Sequence, residues 1–248
     1  MTGAGNQALD PITVEVVRHK LDGIANEMQS TLLRSSFSPI VKEGLDASAS
    51  LFTPDGTTLT QSCSIPIHLA TLIPAVAEIL KAYPLEMMRE GDAYVLNDPY
   101  AGGTHLPDIA VVVPIFHRGT AIALAGVMTH HQDMGGLSAG SVPTNATEIY
   151  QEGLRIPPLK LREAGVFNDT FVRMLRQNVR IPDTVMGDLN AQVAACTVAS
   201  PRRAGATLWP QPAGRDLRRA AAPLGNDDPQ GVAPHSGGHV SLRRPSRQ

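Results

Sequence analysis

Apolar residues recur along this chain with two different periods. From Pro11 into the mid-thirties the spacing is helical: Val14, Val17, Leu21, Ile24, Met28 and Leu32 fall on one stripe. Asp10 is placed to cap that helix, and Pro11 suits its first position, where a missing N–H costs nothing. The stripe is expected to face a core or a subunit interface. A second helix is predicted from about Leu69 to Ala82, stopping near Pro84. Two more are predicted at Asp169–Asn178 and Thr184–Cys196, the latter led in by Pro182-Asp183.

Between these helices the pattern changes to short apolar runs separated by turn residues. Ser50 to Thr60 reads S-L-F-T-P-D-G-T-T-L-T, with a turn at Pro54-Asp55-Gly56. Asp108 to Phe116 (D-I-A-V-V-V-P-I-F) and Thr120 to Met128 (T-A-I-A-L-A-G-V-M) flank His117-Arg118-Gly119. Their β-branched content and the glycine turn predict a hairpin. Pro114 cannot donate to a ladder, so its strand is expected at an edge or a bulge. Helices flanking hairpins predict an α+β fold, with a mixed or antiparallel sheet packed on helices.

The hairpin matters because chemistry-bearing residues stand at its open end. The chain enters through N-D-P-Y-A-G-G-T-H-L-P-D (Asn97 to Asp108) and leaves through T-H-H-Q-D (Thr129 to Asp133). A two-residue loop sets Asp108 opposite Thr129 and gives His131 its face. A three-residue loop, with Gly119 left-handed beside a bulge, sets Asp108 opposite Met128 and gives His130 its face. A slip of one residue exchanges faces, and the residues alone leave the choice open. His105 lies on the glycine-rich loop and can bend toward either. Imidazoles and a carboxylate with a free position suit Zn²⁺, Mn²⁺ or Fe²⁺, although His-x-x-Asp also arises by chance. Gly102-Gly103 has no Lys-Ser/Thr after it, so ATP binding by this chain is not expected.

Composition narrows the rest. A formal charge of −2 gives no electrostatic case for nucleic acid. No apolar run approaches the ~20 residues that span a bilayer, and no basic segment followed by an apolar one opens the chain. Cys63 and Cys196 form no CxxC, which suits reduced thiols in the cytoplasm. Cys63 reads as a small buried residue before a nucleophile.

Several motifs occur together and in order: K-E-G-L-D-A-S-A-S-L-F (Lys42 to Phe52) followed by P-D-G, I-P-I-H-L (Ile65 to Leu69), N-D-P-Y-x-G-G-T-H-x-P-D, H-H-Q-D-x-G-G (His130 to Gly136) and Q-E-G-L-R-I-P-P (Gln151 to Pro158). In these the chain resembles the hydantoinase B/5-oxoprolinase family, over roughly its first 195 residues. The family includes subunits of ATP-dependent N-methylhydantoinases and 5-oxoprolinases, and of acetone- and acetophenone-type carboxylases. The resemblance implies the N-terminal part of a larger fold and a B-type subunit holding a divalent metal. It implies an A-type partner subunit that binds ATP, so ATP enters only through the partner of a hetero-oligomer. It implies hydrolysis of a small cyclic amide or imide, with a carboxylase subunit or an inactive interaction remnant as the alternatives. The implied metal ligands are Asp46, His105, Asp108 and His130, which selects the three-residue loop. Gly44-Leu45 stands where the family often has a charged pair before that aspartate. His68, on spacing alone a helix-start or core residue, becomes a pocket residue. His131 joins it as catalytic, and His131 and Asp133 are expected to orient ligands, since a ligating histidine usually donates its second N–H.

The pattern breaks after Cys196. From Thr197 to Gln248 there is no Lys, Glu, Ile, Met, Phe or Tyr, and Arg pairs stand at 202–203, 218–219 and 243–244. Residues 1–196 are therefore expected to form the family-like region. Residues 197–248 are expected to be a disordered or frameshifted tail, a basic linker being the rival. A family-like continuation in another reading frame of the gene would support the frameshift; none would end it. An interrupted chain would lack much of its pocket and be inactive.

Overall fold

The computed structural model describes residues 10–200. Asp10 caps α1 (Pro11–Ser35) by accepting a hydrogen bond from the Thr13 N–H at 3.3 Å. The stripe buries from Leu21 onward through Ile24, Met28 and Leu32, while Val14 and Val17 stay half-buried. A single turn, α2 (Pro39–Lys42), follows, and Ser38 caps it. The first hairpin is β1 (Ala47–Phe52) with β2 (Thr58–Gln61). Helix α3 (Pro66–Ala82) begins three residues before the predicted Leu69, because Pro66 supplies a preset first position and takes His68 into the first turn.

The remaining strands are β3 (Ala93–Leu96), β4 (Asp108–His117), β5 (Thr120–His130), β6 (Leu159–Glu163) and β7 (Val166–Phe167). They join the first two in one seven-stranded sheet of order β2-β1-β5-β4-β3-β6-β7, every pair antiparallel. Helices α4 (Asp169–Asn178) and α5 (Pro182–Val198) close the described chain. The fold is thus α+β, as expected, with antiparallel pairing alone. The helix α5 runs through Cys196, and residues 201–248, most of the segment set apart on composition, lie outside the described residues.

The sheet has two covered faces. Phe52, Tyr94, Leu96, Ala110, Val112, Leu124 and Met128 pack toward Leu72, Val76 and Ile79 of α3. The alternate positions, among them Ala47, Leu51, Val95, Ile109, Val111 and Val127, pack with Leu21, Met28, Val185 and Leu189 of α1 and α5. This alternation is the two-residue period of a strand, and it sorts the site residues below.

Of the two places expected for Pro114, an edge or a bulge, the strand takes the bulge, since β4 lies between β5 and β3. The proline is tolerated because β3 pairs only as far as Val112, and a bulge follows between Ile115 and Phe116. The loop differs from the expected one. Arg118 and Gly119 make a two-residue turn, both with positive φ (50° and 79°), and His117 pairs with Thr120. The bulge then shifts the ladder by one, so Asp108 pairs with His130 rather than Thr129 or Met128. Cys63 is exposed, not buried; Cys196 is buried.

Candidate metal centre

Two neighbouring strands, β4 and β5, and the residue that leads into β1 bring one side chain each to the same row. Asp108 pairs with His130 across β4 and β5. The His130 N–H donates to the Asp46 carbonyl at 3.1 Å, just before β1 pairs through Ala47 and Thr129. Asp46, His130 and Asp108 therefore share the face that carries α3. His105 arrives from the loop before β4. That loop needs its glycines: Gly102 has φ +91°, and a Cβ there would stand 2.7 Å from the Pro74 carbonyl carbon of α3. Asn97 fixes the loop from below, donating to the Leu106 and Leu154 carbonyls at 2.6 and 3.0 Å and accepting from the Ile156 N–H at 2.6 Å.

The side chains converge tightly. His105 Nε2 lies 3.0 Å from Asp108 Oδ1, His130 Nδ1 lies 3.1 Å from the same oxygen, and the two nitrogens are 3.2 Å apart. Asp46 Oδ2 is 3.9 Å from His130 Nδ1. His68, in the first turn of α3, sets its Nε2 3.4 Å from Asp46 Oδ1 and 3.3 Å from Asp108 Oδ2. Thr104 donates to Asp108 Oδ2. The structure thus brings together Asp46, His68, His105, Asp108 and His130.

Charge follows from these contacts. Burial pushes the Asp108 carboxyl up, but hydrogen bonds from His105, His130, His68 and Thr104 outweigh it and hold the group well below the usual carboxylate range. The hydrogen bond to Asp108 raises His105, against its partial burial, and the charges of Asp108, Asp46 and Glu152 add to the rise. The side chain of Asp108 is 4% exposed and that of His105 41%, so the cluster is closed beneath and open at His105.

This donor set fits a divalent ion. His105, Asp108 and His130 offer ligand atoms all within 4.8 Å of one another. Donors bonded to one ion at ~2.0–2.2 Å stand ~3 Å apart, which is the spacing seen. Two imidazole nitrogens and carboxylate oxygens suit Zn²⁺, Mn²⁺ or Fe²⁺.

Two expected residues are not part of the cluster. His131 follows the row by one residue and turns to the other face, where its Nε2 meets Gln192 Oε1 of α5 at 3.0 Å; burial pushes its pKa down. Asp133 instead ties the following loop, accepting from the N–H groups of Gly135, Gly140 and Arg180 and from the Arg180 guanidinium. The pattern of residues overlooked Thr104 and Gln192. Gln192 did leave a signal, as an amide one helical turn after Asp188 with apolar residues on both sides.

The chain belongs to the hydantoinase B/oxoprolinase family, whose model matches residues 10–205. It is 37% identical over 191 residues to a 5-oxoprolinase of Dictyostelium discoideum, covering 75% of this chain and 15% of that one. It is 37% identical over 190 residues to the caprolactamase subunit beta of Pseudomonas jessenii, covering 77% of this chain and 32% of that one. The crystal structure of the ATP-dependent caprolactamase from P. jessenii superposes with a TM-score of 0.76 at 32% identity, over 87% of this chain and 37% of that one. A nucleotide-free acetone carboxylase shares the fold with a TM-score of 0.77 at 24% identity, over 86% and 28% of the two chains. The chain therefore spans between 15% and 32% of the length of these two curated relatives.

Proposed function

We propose that this chain carries the metal-holding part of a B-type subunit that opens a small cyclic amide or imide by hydrolysis. The observation that carries the reading is the row Asp46–His130–Asp108, set by β5, β4 and the entry into β1, and completed by His105 from the glycine loop. Those four residues would hold the ion, and Mn²⁺, Zn²⁺ and Fe²⁺ all suit them. Such an ion supplies Lewis-acid polarisation of a carbonyl and a lowered water pKa near neutrality.

The chain's own groups set the stage for that chemistry. Asp108 stays ionised in a buried position and so supplies fixed negative charge to a cation. His68 holds a proton at Nε2 between Asp46 and Asp108 and keeps the two carboxylates from splaying apart. His105, at the open side, is the group a ring substrate meets first. ATP belongs to an A-type partner subunit in this reading, which accords with a relative named as a subunit beta and with an ATP-dependent caprolactamase of the same fold. The cytoplasm is the proposed compartment. Cys63 and Cys196 are both free thiols, and among the described residues no helix is long and apolar enough to cross a membrane.

The test is a reconstituted assay with an A-type partner, ATP, Mn²⁺ and a panel of lactams, hydantoins and 5-oxoproline. Ring opening that needs both chains and disappears with His130→Ala supports the reading. Ring opening unaffected by His130→Ala rejects it.

A further inference from the structure

One face of α5 carries Asp188 and Gln192 one turn apart, and both side chains are fully buried beneath the sheet. Buried polar groups are kept where they have specific partners, and these partners share a feature. Asp188 Oδ1 accepts from the N–H groups of Phe37 and Ser38 at 2.6 and 3.1 Å. Those two residues open α2, whose Ile40 carbonyl accepts from the Asp46 N–H at 3.2 Å. Gln192 Nε2 donates to the Ile109 carbonyl at 2.7 Å, one residue after Asp108. Gln192 Oε1 meets His131 Nε2 at 3.0 Å, one residue after His130. Because the Gln192 amide nitrogen is committed to Ile109, its oxygen can only accept, so His131 carries its proton on Nε2.

We propose that α5 sets the shape of the metal centre from behind the sheet, with Gln192 and Asp188 as positioning residues: Gln192 holds the Ile109 carbonyl and the His131 ring next to Asp108 and His130, and Asp188 holds the backbone that leads into α2 and on to Asp46. The proposal rests on the reading of the cluster as a metal site. Neighbouring residues at the end of a strand face opposite ways. Holding residues 109 and 131 from one face therefore fixes where 108 and 130 point on the other. The helix is close enough to do this: Gly187 lets the Phe37 ring lie where a Cβ would be 2.4 Å from it. A metal-ligating histidine or carboxylate owes its aim to such outer contacts, and losing one typically weakens metal binding about 10- to 100-fold.

The experiment is calorimetric Mn²⁺ titration of the full chain, with thermal unfolding in EDTA alongside. Gln192→Leu is expected to weaken Mn²⁺ about 10- to 100-fold. Gln192→Glu keeps an acceptor for His131, so it is expected to fall between Gln192→Leu and the parent, and it carries the test should Gln192→Leu fail to fold. Val193→Ala, a core truncation on the same helix, is expected to lower the melting temperature and leave Mn²⁺ affinity within about twofold, because it removes apolar packing and leaves the hydrogen bonds of Asp188 and Gln192 in place. Folded Gln192 variants with parental affinity overturn the proposal, and so does Val193→Ala weakening Mn²⁺ as much as they do. His130→Ala separates the two levels. If it abolishes binding while the Gln192 variants do not, only the positioning role fails. If the parent binds Mn²⁺ no better than His130→Ala, the metal reading fails and the positioning role with it.

Discussion

Asp108 is the residue on which the cluster turns, since His68, His105, His130 and Thr104 all reach its carboxylate. Asp108→Asn keeps the shape and removes the charge. It is expected to weaken Mn²⁺ binding by at least about 100-fold in a titration and to cost the metal-free fold roughly 1–3 kcal/mol by denaturant unfolding. The same contacts give a pH signature in the metal-free protein. The folded pKa of Asp108 is depressed, so its contribution is full above the unfolded value near ~3.9 and is lost as pH falls toward the folded value. The folded pKa of His105 is raised, so its contribution is full below ~6.5 and is lost as pH rises through the raised value. Melting in EDTA is therefore expected to show a plateau at about pH 4–6.5 with a shallow fall above it, shallow because His105 is partly solvated. His105→Ala should flatten that upper fall; an unchanged slope would assign it to another group. At this scale the sequence was readable only in part. His105 and Asp108 announce themselves by spacing, and Asp46 and His68 come in through motifs. The face of His131 was not readable, because adjacency in H-H says nothing about which face each ring takes.

Register belongs to the element scale, and there the hairpin shows why spacing alone misleads. The strands, their turn and their open end were all readable from β-branched runs around Arg118-Gly119. A bulge was readable as one alternative, from Pro114 and from Gly119, but its place was not, because one extra residue leaves no mark on an apolar run such as T-A-I-A-L-A, yet it decides that His130 meets Asp108. The pairing of β3 with β6 is also hidden in sequence, since it joins distant segments; L-K-L-R-E of β6 does alternate at strand period, whereas the four apolar residues of β3 are too few to tell. Between these elements the His105 loop presses against α3. Gly102→Ala is expected to cost about 1 kcal/mol or more, from a φ of +91° that L-residues resist and from the contact with Pro74. It should weaken Mn²⁺ as well, because the loop must withdraw from α3 and takes His105 with it. Parental stability and affinity in Gly102→Ala would show that the loop is not held there.

In the molecule as a whole, the sheet separates two jobs. The α3 face carries the proposed ligands and the side open at His105, while the α1 and α5 face carries the larger core. An ion bound only by the folded chain must stabilise it. Mn²⁺ at about 100 times its dissociation constant is expected to add about 2.7 kcal/mol, reversed by EDTA. A melting temperature indifferent to Mn²⁺ would mean that ions do not discriminate folded from unfolded chain. The family was readable from ordered motifs across several elements, which no single spacing could have supplied. The most direct test of the account is an anomalous difference map from crystals grown with Mn²⁺. One peak is predicted within bonding distance of Asp46, His105, Asp108 and His130. A peak elsewhere, or a cluster left empty at saturating Mn²⁺, would contradict it.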